Sequence, residues 1–129
     1  MILLDTHVLL WMALEPARLS KPALSAIQKA RSEGLICIAD ISLWEIALLA
    51  RRKKITISGS VEVFLYDISS LLVVKPITPA IAAMSVSFPD DYPRDPADRL
   101  IGATSKLEGL SLVTADTALR RSPLLNTIW

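Results

Sequence analysis

Apolar and polar positions along this chain alternate between two periods. A short apolar run, Met1-Ile2-Leu3-Leu4, meets a single carboxylate, Asp5, and apolar residues resume at Val8. A run of that length closed by a polar turn predicts a buried parallel strand, with a helix following over residues 8–14 until Glu15-Pro16 ends it. Ser20 with Pro22 in the first turn predicts the start of a second helix, whose buried face is Leu24 and Ile27 and which Gly34 stops. Residues 35–39 predict a second strand. The helix after it, opened by Asp40 or Ser42, runs through Leu43-Trp44-Glu45-Ile46-Ala47-Leu48-Leu49-Ala50. It is apolar nearly all round, the signature of a helix buried inside a fold. Its end, Arg51-Arg52-Lys53-Lys54, puts cations where the helix dipole favours them.

Residues 55–59 form a connector, and Val61, Phe64, Leu65, Ile68 and Leu72 repeat at the helical period. A third strand is expected over 71–74, with Pro76 and Pro79 bracketing its exit, then a helix marked by Ile81, Met84 and Phe88. Pro89-Asp90-Asp91-Tyr92-Pro93-Arg94-Asp95-Pro96 is an acidic, proline-rich loop. Leu100, Ile101, Thr104 and Leu107 line the next helix, which ends at Gly109. Residues 110–114 predict a fourth strand, Asp116 opens a short helix, and residues 126–129 allow a terminal strand. Strands alternating with helices predict an α/β fold with a central parallel sheet of four to five strands flanked by helices, as one domain over residues 1–129.

Composition narrows this picture. The 129 residues suffice for one core but not for two ordinary domains, and a hydrophobic fraction of 52% exceeds what one small core needs. The surplus predicts a partner surface. A net charge of +1 does not argue for nucleic acid, so any basic footprint must be local. One cysteine, Cys37, cannot form an internal disulfide, which fits a reducing compartment. No apolar run approaches a membrane span and the N-terminus lacks the pattern of a signal peptide, so a soluble, cytoplasmic protein is expected.

The candidate chemistry lies in four acids at strand-to-helix transitions. Asp5 follows the first strand, Asp116 follows the fourth, and Glu45 and Asp98 fall in first turns of helices. In a parallel sheet these positions share one edge. Each also has a plain structural reading. Ser42-Leu43-Trp44-Glu45 matches a capping box, Asp95 caps the helix that Asp98 then favours by charge, and Asp116 can cap the last helix. Taken singly, capping accounts for Glu45, Asp98 and Asp116 better than catalysis does, while Asp5 stands at even odds. Taken together, four carboxylates at one edge repel and are expensive to desolvate unless a divalent cation compensates. Without Cys or His partners the ion would be a hard one, Mg²⁺ or Mn²⁺. His7 reads as a packing or hydrogen-bonding neighbour. No Gly-rich phosphate loop is present.

At these residues the sequence resembles the PIN-domain ribonucleases, specifically VapC toxins of type II toxin–antitoxin pairs. The resemblance rests on four blocks in order. They are Leu4-Asp5-Thr6-His7-Val8-Leu9-Leu10-Trp11, Ser42-Leu43-Trp44-Glu45-Ile46, Arg94-Asp95-Pro96-Ala97-Asp98-Arg99-Leu100-Ile101 and Leu112-Val113-Thr114-Ala115-Asp116. It implies a PIN-like fold in which Asp5, Glu45, Asp98 and Asp116 bind Mg²⁺ or Mn²⁺ and position the attacking water. Thr6 and Thr114 would support the carboxylates, and Asp95 would be either a cap or an outer ligand. Ala97 departs from the family's usual Phe, which touches packing more than chemistry. The resemblance further implies endonucleolytic cleavage of RNA (often tRNA or rRNA), a homodimer, and a VapB-type antitoxin whose tail fills the active-site groove.

For RNA contacts, Arg51 and Arg52 offer a local basic patch that serves equally well as a solvated helix end. Arg94 and Arg99, flanking the acidic loop, are better placed to meet a scissile phosphate or to pair with Asp95. Two other enzyme and signalling classes fit the residues less well. A haloacid-dehalogenase-type phosphatase needs a second Asp where His7 stands, and a receiver needs a phospho-accepting Asp after the third strand, where Val73-Val74-Lys75-Pro76 offers none. A catalytically silent RNA- or protein-binding module would lack one of the four acids.

Overall fold

Strand β1 (Ile2–Leu4) is apolar and buried at every position, as a strand covered on both faces must be. In the computed structural model, which describes residues 1–129, β1 is the middle strand of a five-stranded sheet ordered β3-β2-β1-β4-β5. The other strands are β2 (Ile36–Ala39), β3 (Val73–Lys75), β4 (Ser111–Val113) and β5 (Thr127–Ile128), and every pairing is parallel. Parallel neighbours require crossovers. Helices α1 (Thr6–Leu14) and α2 (Lys21–Ser32) join β1 to β2, and α3 (Ile41–Arg51) and α4 (Val61–Ser70) join β2 to β3. Helices α5 (Pro79–Ser87) and α6 (Pro96–Glu108) lead to β4, and α7 (Thr117–Arg121) leads to β5.

The chain winds from β1 outward to β3, returns across the sheet to β4 beside β1, and then winds the other way to β5. The direction of winding therefore reverses between β1 and β4, and the crevice beyond their carboxyl ends is where such sheets place ligands. Register brings those ends level: Leu4 pairs with Ile38 on one side and with Val113 on the other. The next residues, Asp5 and Thr114, thus emerge side by side.

Side chains alternate across the sheet and feed two cores. Ile2, Leu4, Ile36, Ile38 and Val113 pack with Val8, Leu9, Ile27, Ile46 and Ile68 on one face. Leu3, Cys37, Ala39 and Leu112 pack with Ile81, Phe88, Tyr92, Ile101 and Leu119 on the other. Ser20 and Thr78 cap α2 and α5 through their side chains, and Gly109, at φ 65°, closes α6 in the left-handed conformation that suits glycine.

Three expectations need correction. Helix α3 is not enclosed: only Ser42 and Ile46 are buried, and Trp44 is 59% exposed. Its apolar residues therefore exceed what the core takes up. Strand β3 begins at Val73, leaving Leu71 at the end of α4, 83% exposed. Helix α2 buries Ala23, Ile27 and Ala30 while Leu24 faces outward, because small residues let the helix lie close to the sheet. No helix is long and apolar enough to cross a membrane.

Candidate active site

Asp5 ends β1 in extended conformation (φ −65°, ψ 153°) and is 7% exposed. Both its oxygens are held. Oδ1 accepts the backbone N–H of Thr6 at 2.8 Å, and Oδ2 accepts the Thr114 hydroxyl at 2.7 Å. The same Thr114 oxygen accepts the backbone N–H of Asp116 at 3.1 Å, so one hydroxyl ties the ends of β1 and β4 together. Asp116 in turn caps α7, with Oδ1 accepting from the backbone N–H of Leu119 at 3.0 Å.

Glu45 is held across the sheet edge. Thr6 Oγ1 donates to Glu45 Oε1 at 2.5 Å and lies 2.9 Å from Ser42 Oγ. A threonine hydroxyl has one hydrogen, so Ser42 must be the donor to Thr6, giving a relay from Ser42 through Thr6 to Glu45. The capping box is therefore absent. Asp40 stands at the start of α3 without a side-chain cap, Ser42 is buried inside the helix, and Glu45 is turned toward α1. For Asp95 and Asp116, in contrast, the capping reading holds: Asp95 Oδ1 accepts the backbone N–H of Asp98 at 3.1 Å. Capping uses one oxygen of a carboxylate and leaves the other free, so it does not compete with a place in the site.

These acids line one hollow of about 410 Å³, which brings Asp5, Glu45, Asp95, Asp98 and Asp116 together with His7, Trp11 and Ala115. No Lys or Arg reaches it. Three of the acids register the electrostatic consequence. Asp98 is pushed up to about 7, first by burial and then by the charges of Asp5, Asp95, Asp116 and Glu45. Burial also raises Asp5 against the lowering effect of its two hydrogen bonds, and raises Glu45, with Asp5 and Asp95 adding repulsion.

The donor set is all oxygen apart from His7, which suits a hard divalent cation. No three of the side chains close on one point tightly enough to hold an ion by themselves. That spacing fits an ion bound through a few carboxylates with water completing its shell, as Mg²⁺ is commonly held. Thr6 and Thr114 fix Glu45 and Asp5 and would not themselves be ligands.

The candidate RNA contacts fare differently. Arg99 is not free: its guanidinium donates to the carbonyls of Ser85 and Phe88 at 3.1 and 3.2 Å and to those of Pro89 and Tyr92 at 3.4 Å. It anchors the loop before α6 and neither reaches the hollow nor pairs with Asp95. Arg94 is exposed beside Asp95 without lining the hollow, and Arg51 and Arg52 are exposed at the far end of α3 from Glu45. Sequence reasoning missed Ser42, Trp11 and the Tyr92 hydroxyl, which donates to the Asp98 carbonyl at 2.8 Å. Trp11 alone had a usable signal, one helical turn after His7 on α1.

The PIN-domain family profile matches residues 2–123. The chain is 41% identical to Ribonuclease VapC22 of Mycobacterium tuberculosis over 130 aligned residues, covering 99% of this chain and 98% of that protein. Among solved structures, a toxin–antitoxin complex from Klebsiella pneumoniae superposes with a TM-score of 0.68 at 21% identity, over 97% of this chain and 95% of that one. VapBC2 from Rickettsia felis, solved with a fragment of promoter DNA, gives 0.68 at 18% over 98% and 97%. FitAcB from Neisseria gonorrhoeae gives 0.69 at 22% over 98% and 96%. The structural likenesses speak for the fold, and the sequence match for the family: this chain belongs to the PIN-domain family, among its VapC-type members.

Proposed function

We propose that this protein is a divalent-metal-dependent endoribonuclease and the toxin of a type II toxin–antitoxin pair. The observation that carries the reading is the hollow itself, in which Asp5, Glu45, Asp98 and Asp116 meet at the switch point of the sheet with no Lys or Arg lining it to balance them. The 41% identity to a protein named a ribonuclease supports RNA as the polymer. Mg²⁺ or Mn²⁺ is the ion, a VapB-type antitoxin the partner, a homodimer the assembly and the cytoplasm the setting. Toxin–antitoxin structures among the likenesses support the antitoxin, and the exposed Trp44, Val63 and Tyr66 give apolar surface for assembly.

The chain's own residues divide the work. Thr114 and the Thr6 amide fix Asp5, and the Ser42–Thr6 relay fixes Glu45, so two carboxylates enter the reaction with little freedom left to lose. Asp98 lines the same hollow on the first turn of α6, where its carboxylate can accept a proton from an attacking water. A bound ion would supply the positive charge that neutralises the scissile phosphate and makes water a stronger acid.

The test is cleavage of total RNA by purified protein with and without Mn²⁺, alongside Asp5→Asn and Asp98→Asn. Cleavage that requires metal and disappears in both variants is the expected result. Variants that cut as fast as the parent would overturn the assignment of the site.

A further inference from the structure

Trp11 borders two hollows. On one side, with His7, it lines the acidic hollow. On the other, again with His7, it lines a second hollow whose cations are Arg18 and Lys54 and whose one acid is Glu15. The two hollows thus meet along the His7–Trp11 edge of α1. The Arg18 guanidinium lies 4.5 Å above the Trp11 ring. The ring is further braced by Trp129 at 5.7 Å and flanked by His7 at 6.1 Å.

From this arrangement, and resting on the ribonuclease reading above, we infer that the second hollow is a nucleobase subsite. It takes one unstacked base of single-stranded RNA on the Trp11 ring, beside the phosphate being cut. Three observations carry it. A strand entering a hollow of five carboxylates needs attraction from somewhere else, and the adjoining hollow holds two cations, Arg18 and Lys54. Aromatic rings that carry single-stranded nucleic acid are flat, partly exposed and held by their own packing, as Trp11 is between Trp129 and α1. Arg18 already occupies the stacking position. Its other contact is an exposed ion pair with Glu15 at 3.7 Å, which costs little to open. On binding, the guanidinium moves off the ring or sandwiches the base, and either way remains close to the flanking phosphate. Lys54 belongs to the basic run that ends α3, and it is the member of that run that reaches this hollow.

The test uses decaadenylate RNA and a decamer of the same backbone that is abasic at every position. Binding is read by fluorescence anisotropy in an Asp98→Asn background, so that the RNA stays whole, and cleavage by the parent with Mn²⁺ is measured separately. Trp11→Ala should bind decaadenylate about ten- to a hundredfold more weakly and bind the abasic decamer with unchanged affinity. Trp11→Phe should keep most of the binding. Lys54→Ala should lower the slope of log affinity against log salt by about 0.7, and Arg51→Ala should leave it unchanged. If the parent cleaves RNA but Trp11→Ala binds both decamers as before, the subsite is wrong and the ribonuclease reading stands. If the parent neither cleaves RNA nor binds decaadenylate, both fail. Should Trp11→Ala not fold, the salt slope of Lys54→Ala decides, and an unchanged slope overturns the subsite.

Discussion

Asp98 is where the acids of the hollow press hardest on one another, since burial and the charges of Asp5, Asp95, Asp116 and Glu45 all push its proton release in one direction. The sign of the effect on stability follows. Asp98 goes from an ordinary 3.8 to about 7, and Asp5 and Glu45 shift the same way. Across that window the folded chain holds more protons than the unfolded one, so metal-free stability falls as pH rises. Asp98→Asn removes part of the strain. It should stabilise the metal-free protein by about 1–2 kcal/mol at pH 8, after discounting for partial solvation. The gain should fade near pH 4, as read by urea unfolding at both values. Thr114 is the complementary case. Thr114→Val leaves Asp5 Oδ2 without its donor and the Asp116 amide without its acceptor. The expected loss is about 1–3 kcal/mol, with Mn²⁺ titration curves displaced to higher pH because Asp5 holds its proton longer. A Thr114→Val protein that melts and binds Mn²⁺ like the parent would break this account of Asp5.

Among the elements, α6 shows how a loop full of prolines is made rigid. Pro89, Pro93 and Pro96 have no N–H to give, so the loop's carbonyls must find donors elsewhere. Arg99 supplies them, and Tyr92 returns over α6 to meet the Asp98 carbonyl. The ring lies so close that a Cβ on Gly102 would stand 2.1 Å from the Tyr92 hydroxyl. Gly102→Ala should therefore cost about 1–3 kcal/mol and lower metal affinity by displacing the start of α6, with Tyr92→Phe in the same chain recovering part of the loss. Thermal melts and Mn²⁺ titration of the single and double variants check both. None of this could be read along the chain. Arg99 beside an acidic loop looks like a phosphate ligand, because a sequence does not reveal how many carbonyls lie in reach. Helix α3 was readable as a helix, yet not in its burial, since hydrophobicity does not say whether an apolar side meets the core or an outside surface. The placement of Asp5, Glu45, Asp98 and Asp116 was readable, because each follows or opens an element whose period is plain and parallel strands put all such junctions at one edge. The Ser42-to-Glu45 spacing misled, as the same residues serve a capping box or a relay to Thr6.

Taken as a whole, the molecule has a net charge of +1 that conceals a sharp segregation, with five carboxylates in one hollow and Arg18 and Lys54 in the next. A divalent ion that binds the folded chain offsets the repulsion and adds stability by mass action. Because ligand carboxylates must be deprotonated, that gain should grow with pH. Adding millimolar Mn²⁺ should raise the melting temperature by several degrees at pH 8 and much less at pH 5.5. Equal shifts at both pH values would separate metal binding from these acids.

The strand order has a consequence in time as well as in space. Asp5 and Glu45 leave the ribosome early, but β4 lies directly against β1 and brings the Thr114 hydroxyl to Asp5. Asp98 and Asp116 also come from the last third of the chain. A nascent polypeptide halted before Ser111 therefore has neither the neighbouring strand that sets Asp5 nor its full complement of acids. Such a fragment cannot assemble the acidic hollow, whatever its first three strands do, because Asp116 and the hydroxyl that sets Asp5 are still missing.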